Sequence, residues 1–173
     1  VINCEFIFIC IPTPYNTSTG EFDGKNIDDL IFKIDTLSIE STESPILVIK
    51  SAVVPRLVKK WEDNITIEII ISPEYLTERD SVRDFINQKV MILGGDRELC
   101  EELNDVYLKE SLCNPECKVS YCSSEEAALI KYMENSFLAM KNIFNNQFKE
   151  FYDKHFGLRV LDENFNKMLE DVK

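Results

Sequence analysis

Three apolar runs constrain this chain more than any other feature: FIFICI at positions 6–11, ILVI at 46–49 and IEIII at 67–71. A strand with one wet face alternates apolar and polar residues, whereas a strand buried on both faces reads as a near-continuous apolar run. The runs therefore predict a parallel sheet with helices on both sides. Candidate strands are Glu5–Ile11, Ile46–Val53, Ile65–Ile71, Lys89–Gly94 and Lys118–Tyr121. Between them, Asn26–Ile39 and Asp96–Leu108 carry apolar residues at helical spacing. Strands alternating with helical crossovers define an open α/β fold.

At Ser123 the pattern changes. Ser123 followed by Glu126 is a capping box, in which each side chain accepts from a backbone N–H that the first helical turn leaves without a partner. From there Leu129, Ile130, Met133, Phe137, Met140, Phe144, Phe148 and Phe151 step by three and four, predicting one long helix that ends near Gly157. The chain thus divides into an α/β part, 1–122, and a helical part, 123–173. An apolar face this wide needs a cover: the sheet, a following helix over Glu163–Val172, or a second copy of the chain. On the opposite face Lys131, Asn135, Asn142 and Asn146 fall within about 60° of one another at helical geometry. Asparagine is a poor helix former, so a run of it on one face is costly for plain scaffold.

Composition narrows the partners. The chain has 173 residues with 19 Lys+Arg against 31 Asp+Glu, a formal charge of −12. Such a chain is repelled by nucleic-acid backbones and anionic lipid, so neither nucleic acid nor a membrane is expected as partner. No apolar run approaches the length of a membrane span, and no signal peptide is legible, so the expected address is cytoplasmic. The six cysteines are then expected to be reduced thiols, and Cys113, Cys117 and Cys122 match no common zinc spacing, so no metal is assigned. The five glycines include neither G-x-G nor G-x-x-x-x-G-K, which excludes a self-contained nucleotide-phosphate loop.

Four segments carry chemistry. Ile11-Pro12-Thr13-Pro14 stiffens the exit of the first buried strand and holds a hydroxyl at the carboxyl edge of the sheet, where open α/β folds bind ligands. Lys50-Ser51-Ala52-Val53 ends the second strand on the same edge. Ser72-Pro73-Glu74-Tyr75-Leu76, followed by Glu78, puts carboxylates just past a third strand, a position suited to a general base or a hydroxyl ligand. Lys131 and Asn135, at i and i+4 on one helix, can point a cation and an amide at one developing negative charge.

In this order, FIFICIPTP, VIKSAVVP, ISPEYLTE with RDF and VMILGG, and EAALIKYMENSFLAMKNIFNNQ resemble the UDP-glucose/GDP-mannose dehydrogenase family, over positions 6 to about 158. The resemblance implies a partial Rossmann-like parallel sheet followed by a long central dimerisation helix, with 1–122 the second half of an NAD-binding domain. It implies NAD as cofactor, a nucleotide sugar as substrate and a homodimer as assembly. Enzymes of this family oxidise the sugar 6-hydroxyl to a carboxylate in two hydride transfers, through a thiohemiacetal and thioester on a cysteine. By position, Thr13, Ser51 and Glu78 match cofactor-side residues, and Glu74 the glutamate that helps activate water. Tyr75 and Leu76 match the stretch whose backbone holds the sugar, and Lys131 and Asn135 the pair that stabilises oxyanions.

The departures are Ala52 where the family has Thr, Gln147 for Glu, Lys89 for Arg and Arg79 for Gly. The family's glycine loop would precede Val1 and its nucleophilic cysteine would follow Lys173, so the chain is expected to be the middle of a longer enzyme. The rival expectation is a degenerate, non-catalytic relative that dimerises or binds a partner. An unrelated α/β binding protein is the remaining alternative, which four ordered motifs disfavour. Alone, the chain is expected to reduce no NAD in the presence of UDP-glucose, checked by following NADH absorbance.

Overall fold

The computed structural model describes residues 4–39, 44–77, 79–111 and 113–156. Contacts divide the chain into two compact units, Val1–Tyr132 and Met133–Lys173. The first unit holds a five-stranded sheet of β1 (Phe6–Ile9), β4 (Ile46–Ile49), β5 (Ile69–Ile71), β6 (Val90–Gly94) and β7 (Lys118–Cys122), side by side in that order. A small hairpin of β2 (Tyr15–Asn16) and β3 (Glu21–Phe22) lies outside it. The helices are α1 (Lys25–Ser38), α2 (Pro55–Glu62), α3 (Ser81–Ile86), α4 (Arg97–Glu110) and α5 (Ser124–Phe156), the last running on into the second unit.

The apolar runs form strands covered on both faces. Along β4, Leu47 and Ile49 enter one core with Ile27 and Ile31 of α1, Val58 and Trp61 of α2, and Ala127 and Ala128 of α5. Ile46 and Val48 enter the other, with Cys100, Leu103 and Tyr107 of α4. All four β4 residues are buried, and removing each such side chain from water stabilises the fold by about 1.5–3 kcal/mol.

The sheet is mainly parallel, with one reversal. β1, β4 and β5 run parallel, as do β6 and β7, but β5 meets β6 antiparallel at a single pair, Ile71 with Gly94. An apolar run carries no information about direction, so the sequence could not show this seam. Its consequence is that β1, β4 and β5 end on one edge of the sheet while β6 and β7 end on the other.

Polar side chains fix the connections. Asp35, buried at the end of α1, accepts hydrogen bonds from Thr66 N, Thr66 Oγ1 and Ile67 N at 2.8, 2.9 and 3.2 Å, tying the entry of β5 to α1. The indole of fully buried Trp61 donates to Asp28 at 2.6 Å, and Lys60 pairs with the other oxygen of the same carboxylate. The expected capping box is formed. Glu126 N donates to Ser123 Oγ at 3.3 Å, while Ser123 N and Oγ donate to Glu126 Oε2 at 2.9 and 2.8 Å and hold that carboxyl below its ordinary range.

In the second unit α5 continues to Phe156, and Phe137, Met140 and Phe144 stand more than 60% exposed. Phe144 stacks on Phe148, with ring centroids 5.7 Å apart. The expected cap at Gly157 and the helix over Glu163–Val172 lie outside the described residues. No helix among the described residues is long and apolar enough to cross a membrane.

Gly94 is where α5 seats on the sheet. A Cβ there would lie 2.5 Å from Ala127 Cβ and 2.7 Å from the Ser123 carbonyl oxygen. Backbone cannot move aside as a flexible side chain can, so Gly94→Ala is expected to destabilise the first unit by about 1–3 kcal/mol. A lowered urea midpoint would show it, and an unchanged one would show that the seat is looser than drawn.

Candidate functional site

The edge where β1, β4 and β5 end holds a cavity of about 340 Å3. Its walls are the chain leaving each strand: Cys10–Thr13 after β1, Lys50–Ala52 after β4 and Glu74 after β5, with Lys131 reaching in from α5. All four segments singled out in the sequence reach it, the first through Ile11–Thr13, the second through Lys50–Ala52, the third through Glu74 and the fourth through Lys131.

The exits are held by their own polar groups. Ser51 Oγ, nearly buried, donates to Ile11 O at 2.6 Å and lies 3.3 Å from Ile9 O, pinning the end of β1 to the end of β4. Thr13 Oγ1 donates to Ala52 O at 2.6 Å. Both hydroxyl protons are thus spent inside the wall, and what these side chains can offer a ligand is their oxygen lone pairs. Lys131 Nζ donates to the backbone carbonyl of Glu74 and lies 4.9 Å from the ring centroid of Tyr75, so the loop after β5 is clamped from above by a cation. The far end of that loop is tied to α3, where Thr77 N and Oγ1 donate to Asp84 at 2.9 and 2.6 Å.

Tyr75 and Leu76 are half-buried in this loop and are not part of the cavity wall. Asn135 lies in the second unit, one turn along α5 from Lys131. Glu78 lies outside the described residues. Lys50 was given no role of its own by the sequence, yet it lines the cavity. Its Nζ donates to Ser72 Oγ at 3.2 Å, and burial pulls its pKa down to about 8, against the raising influence of Glu74. Behind it the Tyr107 hydroxyl is hydrogen-bonded to Ser72, while burial pushes that phenol upward. A lysine closing an otherwise apolar run was the one signal that could have found this group.

The opposite edge has a cavity of about 330 Å3 whose lining includes Glu62, Glu68, Asp96 and Ser124. Its carboxylates disfavour anions, and Asp96 already accepts from Glu98 N and Leu99 N at the start of α4. Among the described residues no cluster of three His, Cys, Asp or Glu side chains is placed to hold a metal ion, and all six cysteines are free thiols.

Residues 1–110 match the model of the UDP-glucose/GDP-mannose dehydrogenase family, NAD binding domain. The chain belongs to this family. Among curated members, the UDP-glucose 6-dehydrogenase of Campylobacter jejuni is 27% identical over 154 residues, 88% of this chain and 38% of that protein. That of Rickettsia felis is 31% identical over 158 residues, 88% of this chain and 34% of its own length. The chain therefore spans little more than a third of these relatives. The GDP-mannose dehydrogenase structure from Pseudomonas aeruginosa superposes with a TM-score of 0.71 at 24% identity, covering 82% of this chain and 34% of that one, a likeness of fold.

NAD is the cofactor of the matched family domain. Among the residues that could hold part of it are Thr13 and Ser51, whose oxygens line the cavity at the carboxyl edge and supply acceptors. No G-x-G turn from strand to helix exists among the described residues to cradle the pyrophosphate.

If the Ser51 hydroxyl serves as a pin between strand ends, Ser51→Ala should cost about 1–3 kcal/mol of stability by leaving the Ile11 carbonyl unpaired. Thermal or urea unfolding checks this, and an unaltered stability would assign the hydroxyl to ligand contact alone.

Proposed function

We propose that this chain supplies part of an NAD-dependent nucleotide-sugar 6-dehydrogenase, of the UDP-glucose 6-dehydrogenase kind, that oxidises the sugar 6-hydroxyl to a carboxylate with two NAD in the complete enzyme. The observation that carries this reading is the meeting of Thr13, Ser51, Glu74 and Lys131 around one cavity at the carboxyl edge. In this reading 1–122 is the second half of the NAD-binding domain and 123–173 part of the central helical domain.

The roles follow from where charge develops. Removing a proton from the sugar hydroxyl leaves negative charge on oxygen, which the Lys131 ammonium, with the Asn135 amide one turn on, would hold in place. The Glu74 carboxylate, exposed beside the cavity, can draw a proton from water. Glu74 also fixes Lys131 through its carbonyl, so the base and the cation are positioned by one contact. Tyr75 and Leu76 would present backbone to the sugar. Thr13, Ser51 and Glu78 would flank the nicotinamide, which accepts hydride when NAD is bound. The apolar face of α5, with Phe137, Met140 and Phe144 exposed, fits burial against a second copy in a homodimer.

The test uses the natural protein that contains this chain. With UDP-glucose, GDP-mannose or UDP-N-acetylmannosamine and NAD, one substrate should yield two NADH per sugar, and Glu74→Gln or Lys131→Met should lower kcat by roughly 10²–10³-fold. No NADH with any of the three would favour the non-catalytic module instead, as the loss of the Thr hydroxyl at Ala52 would then suggest. Sedimentation should give a dimer, and a monomer at every concentration would remove the assembly from the reading.

A further inference from the structure

Lys50 sits in a position that neither the fold nor the proposed chemistry explains. Its ammonium has three N–H donors, and among the described residues one acceptor, Ser72 Oγ, meets them. Ser72 is fully buried and interacts with the Tyr107 hydroxyl, so the group that Lys50 meets faces inward. The remaining donors have the cavity before them.

The charged and titratable groups facing Lys50 come from five elements. They are Cys10 beyond β1, Glu74 beyond β5, Lys131 on α5, Cys113 ahead of β7 and Tyr107 on α4, whose ring centroid lies 6.0 Å from Nζ. Among them only Glu74 is a carboxylate, and Lys131 opposes it with a like charge to that of Lys50. Burial wins over these neighbours and holds the amine near pKa 8.

We propose that Lys50, with Lys131 beside it, forms a binding site for a single oxyanion, a carboxylate or a phosphate group, with the spare N–H donors of Lys50 as its principal ligands. An oxyanion supplies what the ammonium lacks: acceptors in charge-assisted geometry and an opposite charge where water is partly excluded. The coupling to protons has a fixed sign. The anion selects the protonated amine, so affinity is full below the pKa and falls as pH rises through it. With a pKa near 8, the protonated fraction drops from roughly nine-tenths at pH 7 to roughly one-tenth at pH 9, about a tenfold loss of affinity. Anion capture at Lys50 needs no dehydrogenase chemistry, so it can fail or hold independently of the proposed activity.

The experiment is competitive acetylation of the natural protein that contains this chain across this pH range, with the labelled peptides quantified by mass spectrometry, without additive, with glucuronate, and with inorganic phosphate. Lys50 should label with a midpoint near 8, and a bound anion should raise that midpoint and slow labelling there but not at exposed Lys33. An effect of glucuronate alone assigns a carboxylate, and of phosphate alone a phosphate. Calorimetry should show the tenfold loss between about pH 7 and about pH 9 in the natural chain, and its absence in Lys50→Arg, whose charge persists throughout. Lys50→Met should bind neither anion while keeping its far-ultraviolet circular dichroism; should it unfold, the labelling and the arginine variant decide. A midpoint that neither anion moves, or an affinity indifferent to pH, overturns the proposal.

Discussion

The fold depends on the double-sided burial of β4. Its four residues alternate between two cores, and β1 and β5 pair along its two sides, so every helix that covers the sheet is packed against a layer that β4 organises. A strand so enclosed can turn its side chains nowhere but inward, and polar function is pushed to its end. Lys50, Ser51 and Ala52 stand there, and the cavity opens where the apolar run stops.

What could be read from the residues follows from this. The five sheet strands, α1, α4 and the start of α5 were legible because each has a strong local pattern or cap. The hairpin of β2 and β3 was not, since two exposed residues on each arm carry no periodicity. Nor was α2, whose eight residues begin at Pro55 and show their apolar side mainly through Val58 and Trp61. The convergence of Thr13, Ser51 and Glu74 on one edge was legible from the rule that parallel strands place their exits together. The inward commitment of the Thr13 and Ser51 hydroxyls was not, because their partners are backbone carbonyls some forty residues away in sequence.

The reversal between β5 and β6 separates two chemical environments. One edge gathers two lysines and a glutamate around its cavity, the other three carboxylates and the starts of two helices. The −12 charge of the whole chain describes neither edge. A net charge constrains encounters with extended polyanions, whereas a small ligand responds to the few donors within reach.

The single ladder pair between Ile71 and Gly94 gives the sheet a second character. To either side the strands are joined by three to five pairs, so the sheet is two ribbons whose common border is held mostly by side chains. Backbone hydrogen bonds resist sliding along a strand, and packed methyl groups resist it far less. The border is thus where the sheet has the fewest ladder pairs, and Gly94 and Gly95, which have no side chains, lie on it with neighbouring backbone packed close against them.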